Sequence, residues 1–346
     1  MSKTTFDPMK PWFLALESMG EFIGMRLARI PPGKSEPDWI YVPHSECDGF
    51  AVIKKLFAER GGIVEELPQA RHPARPSASS FFKLMKMQMQ PRWRLHWKDL
   101  GTSRGKSDPR QPAPAVAWHV FEEDQTLQMR QFCNAAGGTV NSFLLRHLTA
   151  ALRPCLVEGE EASVPWMIPV NMRGRVVSAG EMSNHVSYVT VVVRPGDTSR
   201  EIHQSTQAAM DREEHCTNWF GYCLGRYMPQ KVKRFLIAKE LATPQWYLGA
   251  FTNLGAWDSE KKITSPDCLG AWLATALVFR FQPFGAGCFT FQNRMSLCLQ
   301  AHPELTIDPE ICRTWIKNWV NAIQSELENS GKNISSAPQK KFPLKI

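Results

Sequence analysis

The sequence has no apolar run near the ~18 residues that a membrane-spanning helix needs, and its first residues form no apolar signal core. Its nine cysteines are odd in number and include no Cys-x-x-Cys pair. That usage is more typical of reduced thiols than of a disulfide framework or a zinc site. These absences predict a cytoplasmic protein, with a peripheral membrane contact as a further option.

Common catalytic signatures are missing as well. The chain has no Gly-x-Ser-x-Gly elbow, no Walker loop, no Gly-x-Gly-x-x-Gly at a strand–helix junction and no His-Glu-x-x-His. We therefore expect no metal site. Several histidines without metal-ligand spacing are interpreted as structural or surface groups: His147, His185, His203 and His215.

The bulk composition is that of a globular protein. The 346 residues are 43% hydrophobic and 21% charged, which is enough chain for two lobes. The net charge of +8 fits an anionic small partner such as coenzyme A, an acidic carrier protein or an anionic membrane, and it also fits a basic protein without such partners. The basic residues are not gathered in a recognisable nucleic-acid module, so we expect no nucleic-acid partner.

Strand-like and helical patterns alternate irregularly in both halves, which predicts an α/β two-lobe (α+β) enzyme. Residues 99–114 are rich in glycine, proline and charge. We therefore place an N-terminal lobe at residues 1–112 and a C-terminal lobe at 113–328, followed by a basic, mobile tail at 329–346.

Several elements of the C-terminal lobe are predicted individually. Thr139 is expected to cap a helix that begins at Val140. Further predictions are a single helix over 199–214, strands over 271–281 and 286–300, and a closing helix over 308–328.

Residues 81–98 combine phenylalanine, methionine and tryptophan with lysine and arginine. Such a stretch can lie at a lipid interface or line an acyl-chain tunnel. It can equally be a helix packed on its lobe and followed by a basic connection. The sequence leaves these interpretations open.

The clearest chemical signal is the segment His44-Ser45-Glu46-Cys47-Asp48-Gly49. It follows a predicted strand over 38–43 and precedes a predicted helix over 50–59. A histidine at the end of a strand can present its imidazole to a cleft, as a general base requires. Asp48 can turn back into the body of the fold.

With its neighbours, this motif resembles the superfamily of chloramphenicol acetyltransferase, the condensation domains of peptide synthetases and the bacterial wax ester synthase/diacylglycerol acyltransferases. The opening from Phe6 to Ser18 is also similar to that of wax ester synthases. The landmarks occur in the expected order: the H-x-x-x-D-G motif, Gly138 to Leu144, Ile168 to Arg173, Ser183-Asn184, Thr252 to Gly255, and Met295 to Leu305.

The resemblance implies mixed sheets flanked by helices, with a substrate tunnel between two lobes. It also implies acyl transfer from a coenzyme A thioester to a hydroxyl or amine, without a metal or a covalently bound cofactor. His44 would be the general base, and Asp48 would pair with Arg173 to hold the motif. Gly49 would leave room for substrate, and Asn253 and Gly255 would belong to the tunnel.

The chain departs from the superfamily pattern in two ways. Pro43 replaces the first of two histidines that usually begin the motif, and the motif lies at residue 44 rather than more than a hundred residues into the chain. The second departure implies a shortened N-terminal lobe. Its half of the tunnel would be open, completed by a second subunit in a homodimer, or nonfunctional.

Two alternatives to a coenzyme A-dependent enzyme follow. A condensation-type acyltransferase would take its acyl group from a carrier-protein thioester. A non-catalytic member would bind an acyl ligand or a partner protein. Acyl chain length and acceptor identity are not encoded in any motif that we find.

Overall fold

The computed structural model describes residues 6–64, 66–89, 94–159, 161–242, 247–257 and 265–335. The predicted tail from residue 336 onward lies outside these ranges, as do residues 90–93 of the basic aromatic stretch. Residues 329–335, predicted as tail, instead continue the last helix, so that prediction was wrong for this part. Within the described ranges, no helix combines the length and apolar character needed to cross a membrane.

The helices alternate irregularly with the strands along the chain. The α-helices are α1 (Lys10–Glu17), α2 (Gly49–Glu59), α3 (Ser79–Gln88), α4 (Glu123–Ala135), α5 (Val140–Leu156), α6 (Ser199–Asp211), α7 (Glu214–Leu224), α8 (Gln230–Leu241) and α9 (Pro309–Ser335). The strands are β1 (Gly24–Ile30), β2 (Asp38–Pro43), β3 (Val116–Val120), β4 (Val164–Asn171), β5 (Val186–Val193), β6 (Gly249–Trp257), β7 (Ala271–Ala274), β8 (Phe284–Phe291) and β9 (Arg294–Ala301).

The strands form two sheets. The smaller is antiparallel, in the order β2-β1-β7, and the larger is mixed, in the order β3-β9-β8-β6-β4-β5. In the larger sheet, β6 runs parallel to both β4 and β8. Strand β7 comes from the C-terminal half of the chain but pairs with β1. A cut at residue 112 would therefore separate β7 from its sheet, and the proposed lobe boundaries stay a prediction.

Each sheet has its own apolar core. The larger sheet buries the inner faces of α5 and α9, with Trp166 and Trp319 among its fully buried side chains. The smaller sheet packs against α2, whose Ile53 and Phe57 are fully buried. A third cluster joins α1, α7 and α8. The end of β2, where the His44 motif begins, lies between the second and third clusters.

Local patterns predicted some elements well. Thr139 caps α5 by accepting a hydrogen bond from the Ser142 N–H at 3.2 Å, which confirms its predicted role. Helices α2 and α5 and strand β2 lie close to their predicted positions. The fold class, a mixed α+β arrangement of two sheets flanked by helices, is confirmed.

Three element predictions were wrong. The strand predicted over 286–300 is a hairpin, because Gln292 and Asn293 both take positive φ angles (49° and 60°) and reverse the chain. The helix predicted over 199–214 ends at Asp211, and Glu213 at φ 59° separates it from α7. The strand predicted over 271–281 is regular only to Ala274.

Candidate active site

Local chemistry explains the shape of the His44 motif. Strand β2 lies at the edge of its sheet, where Pro43, which cannot donate a hydrogen bond, is tolerated. The His44 N–H donates to the Ile23 carbonyl at 2.8 Å, which extends the pairing with β1 by one contact. Asp48 then caps α2 by accepting a hydrogen bond from the Ala51 N–H at 3.1 Å. The chain therefore turns sharply from strand to helix within the motif.

Asp48 is fully buried and connects the motif to the C-terminal half. Its Oδ1 accepts a hydrogen bond from Arg173 Nη2 at 2.7 Å, and its Oδ2 accepts one from the His185 N–H at 2.9 Å. The predicted partners Asp48 and Arg173 therefore form a buried ion pair. A buried carboxylate held by a guanidinium and two backbone N–H groups leaves little freedom for the turn that carries His44.

Arg173 lies in the connection between β4 and β5. Its guanidinium sits 5.7 Å from the centre of the Phe50 ring, at the start of α2. Its Nε and Nη1 are buried without hydrogen-bond partners. The ion pair is thus the main compensation for a guanidinium that has lost its water, so removing Asp48 would leave an isolated buried charge.

The His44 imidazole is 7% exposed and packs on Phe13 of α1, with ring centres 4.7 Å apart. Its Nδ1 is buried without a hydrogen-bond partner. Burial lowers the pKa of His44 from its usual value near 6.5, although its own backbone carbonyl and Asp48 oppose this shift. The ring is therefore neutral at pH 7, in the form that can accept a proton.

Two residues that sequence reasoning did not assign to the site hold the His44 backbone. Asn184 Nδ2 donates to the His44 carbonyl at 2.9 Å and to Asp7 Oδ2 at 2.9 Å. Asp7 also accepts from the Met9 N–H at 2.9 Å, at the start of α1. Both residues fell within segments that carried the resemblance, but no local pattern indicated that they contact one another.

Gly49 has a packing neighbour that the sequence did not reveal. A Cβ atom at this position would lie 2.9 Å from Leu254 Cδ2 of β6. The space beside Gly49 is thus occupied by a leucine methyl group of this chain. The expectation that Gly49 leaves room for substrate stays a prediction.

Asn253 and Gly255 flank Leu254 in an irregularity of β6, where its register with β8 shifts. Asn253 Oδ1 accepts a hydrogen bond from the Gly255 N–H at 2.8 Å, and Gly255 has a φ of 79° that favours glycine. Asn253 Nδ2 donates to Asn141 near the start of α5. Two segments that carried the resemblance are therefore in contact, and the tunnel role of Asn253 and Gly255 stays a prediction.

A large cavity lies away from the motif. It has a volume of about 890 Å³ and is lined by the loop after β1, the end of β3, the start of β7 and the turn between β8 and β9. His44 lies at the opposite end of the β1–β2 pair, because Gly24 pairs with Pro43 and Arg29 with Asp38. At about 3.3 Å per residue, the two ends are roughly 20 Å apart. This cavity is not the predicted tunnel at His44.

Comparison with solved structures identifies the fold. The chain is similar to wax ester synthase/diacylglycerol acyltransferase from Marinobacter aquaeolei VT8, with a TM-score of 0.55, 13% identity, and coverage of 94% of this chain and 99% of that chain. It is also similar to TRI3 trichothecene 15-O-acetyltransferase from Fusarium sporotrichioides, with a TM-score of 0.53, 10% identity, and coverage of 86% and 68%. The condensation domain of the monacolin K polyketide synthase MokA gives a TM-score of 0.52, 12% identity, and coverage of 88% and 73%.

By sequence, no protein-family model and no curated protein matches the chain. The structural neighbours nevertheless share the fold expected from the resemblance. At these identities, the comparison shows the fold, and the activity has to be argued from the site.

Proposed function

We propose that this protein transfers an acyl group from a thioester to a hydroxyl or amine acceptor, with His44 as the general base. The observation that carries the proposal is a neutral imidazole whose turn is held by a buried ion pair and by hydrogen bonds to its backbone. The shared fold supports the reaction class, because two of the neighbours are named as acyltransferases.

In the proposed reaction, the His44 ring removes the acceptor proton as the acceptor oxygen or nitrogen attacks the thioester carbonyl. The carbon–sulfur bond then breaks, and the thiol leaves with the proton. In this proposal Nε2 takes the acceptor proton, because Nδ1 is buried. General-base catalysis of this kind typically contributes 10²–10⁴-fold to the rate.

Asp48, Arg173 and Asn184 act as positioning residues in this proposal. They hold the backbone or the turn around His44. The proposed donor is a coenzyme A thioester used as a co-substrate, with no covalently bound cofactor. A carrier-protein thioester is the alternative donor. We further propose a cytoplasmic location, which suits the nine unpaired cysteines.

The deciding experiment measures free thiol released from short- to long-chain acyl-coenzyme A in the presence of pooled alcohols and amines. Wild type is compared with His44→Ala and with His203→Ala, a partly exposed histidine outside the motif. We expect acceptor-dependent release that falls about 10²–10⁴-fold in His44→Ala and is unchanged in His203→Ala. Folding of each variant is checked by circular dichroism.

Three outcomes would change the proposal. Release that requires an acyl carrier protein as donor would establish the condensation-type alternative. If folded wild-type protein releases no thiol from either donor, the chain is a non-catalytic relative that binds an acyl ligand or a partner. Equal release by wild type and His44→Ala would remove His44 from the reaction.

A further inference from the structure

Positive charge is distributed very unevenly along this chain. Residues 67–98 contain seven lysines and arginines, and residues 215–239 contain five, while neither stretch contains an acidic residue. Since the whole chain has a net charge of +8, everything outside these two stretches has a net charge of −4. The basic character of the protein therefore comes from two stretches that are more than a hundred residues apart in sequence.

The fold brings these stretches together. Helix α3 packs against α7, where the Phe81 and Phe220 rings lie 6.2 Å apart and Lys83 pairs with Glu213 at 2.6 Å. Helix α7 continues through a 3-10 turn at Gly225–Tyr227 into α8. The buried Lys233 of α8 donates hydrogen bonds to the Gly225 and Met228 carbonyls at 3.0 Å, which ties α8 to that turn. We call the outer sides of α3, the turn and α8 the basic-apolar face.

The basic-apolar face also exposes large apolar side chains. Of 14 exposed large hydrophobic residues among those described, seven lie in its three elements, although these contain only 25 residues. The most exposed are Phe82 at 73%, Tyr227 at 79% and Phe235 at 69%, and Met89, directly after α3, is 84% exposed. Exposed apolar side chains concentrated in so few residues usually mark an interaction surface.

Charge decides which partner this face suits. The three elements of the face contain seven lysines and arginines and one acidic residue, Glu240, so a second copy would bring two basic surfaces together, and this like-charge contact is unfavourable. An anionic lipid surface attracts lysine and arginine, while its acyl region accepts protruding aromatic and methionine side chains. We propose that the basic-apolar face docks the protein on anionic lipid membranes. The docking does not depend on the acyl-transfer proposal.

This assignment chooses among the interpretations of residues 81–98. Helix α3 is packed on its neighbour through Phe81 and Leu84, while Phe82, Met85 and Met89 point outward. These outward side chains suit a lipid interface better than the lining of a tunnel. The sequence did not indicate that α8 belongs to this face. Val232, Phe235 and Leu236 are residue types that usually lie in a core, and only the structure shows that they are exposed.

The test is sedimentation of the full chain with vesicles of phosphatidylcholine alone or of equal parts phosphatidylcholine and phosphatidylserine. We expect binding only to the mixed vesicles, and weaker binding at high salt. Replacing Lys231 and Arg234 by glutamine should weaken binding roughly 25-fold, at about fivefold for each charge near the surface. The double variant Phe82→Ala/Phe235→Ala should weaken binding at high salt as well, because it removes apolar contacts.

Matched controls come from exposed residues elsewhere. Lys34→Gln removes a charge, and Ile63→Ala/Val177→Ala removes two exposed apolar side chains, all outside the face. Both controls should bind like wild type. Equal binding to both vesicle types, no binding by folded wild type, or equal losses in the controls would overturn the proposal. A wild-type dimer that Phe82→Ala/Phe235→Ala dissociates, without vesicle binding, would assign the face to a second copy instead.

Discussion

Two buried carboxylates connect the N-terminal part of the chain to the C-terminal half, and each contacts or lies close to a histidine. Asp48 pairs with Arg173 beside His44, and Glu21 pairs with His302 at 3.1 Å. In the second pair, His302 Nδ1 accepts a hydrogen bond from the Glu304 N–H at 3.2 Å, so Nε2 carries the proton donated to Glu21. Both ring nitrogens of His302 are therefore in use, whereas His44 is held by its backbone.

The difference separates a structural histidine from a candidate catalytic one. A ring whose two nitrogens are both hydrogen-bonded within the fold has no capacity left for a substrate. The ring of His44 keeps that capacity because Asp48, Asn184 and Ile23 contact its turn or its main chain. Burial alone does not distinguish the two residues, since both are almost fully buried.

Asp48→Ala should give the largest loss of stability, because it breaks the first contact and leaves the Arg173 guanidinium buried without a carboxylate. We expect the free energy of unfolding in urea to fall by about 3–5 kcal/mol. Thr198→Ala is the control, since Thr198 caps α6 in an exposed position without an ion pair. It should cost about 1 kcal/mol, as loss of a helix cap usually does. Equal losses would mean that the Asp48 ion pair adds nothing beyond capping.

His302→Ala should break the second contact and leave the fully buried Glu21 with only Arg280, at 3.6 Å, as an ionic partner. We expect a loss of about 3 kcal/mol, because the buried Glu21 carboxylate loses the hydrogen bond from the His302 ring. His44→Ala should cost only about 1 kcal/mol, because removing the unpaired Nδ1 offsets part of the lost packing on Phe13.

Activity should rank the two histidine variants in the opposite order. Acyl transfer, measured well below the unfolding transition, should be retained by His302→Ala and lost by His44→Ala. If His302→Ala also abolishes turnover in folded protein, the distinction between the two histidines fails.

The smallest effect concerns pH. Since burial lowers the pKa of His44, the acid limb of the kcat/KM profile should lie below pH 6.5. The same shift has a cost in stability. As the pH falls below about 6.5, His44 takes up a proton in the unfolded protein but not yet in the folded one. The free energy of unfolding therefore decreases between about pH 6.5 and the lower pKa of the folded protein. In His44→Gln, the free energy of unfolding in urea should decrease less than in wild type over the same pH range. A limb above pH 6.5 would contradict the environment described for His44.

The fold was predictable where short-range chemistry dominates. Asp48 and Thr139 act as helix caps through hydrogen bonds three residues along the chain, which a local pattern can indicate. The hairpin at Gln292-Asn293 was missed because neither residue is glycine or proline, although both adopt positive φ. Strand β6 was missed because its glycine and alanine residues are weak strand formers, and its two flanking partners stabilise it.

The sequence by itself determined the local arrangement at the candidate site, which is a strand end followed by a histidine and a capped helix. Each of these features depends on residues only a few positions apart. The tertiary structure alone decided that Asp7 meets Asn184 across 177 positions, and that β7 joins the smaller sheet. It also decided which apolar side chains of α3 and α8 remain outside a core. Such contacts depend on how distant elements pack in three dimensions, and local propensity contains no information about that packing.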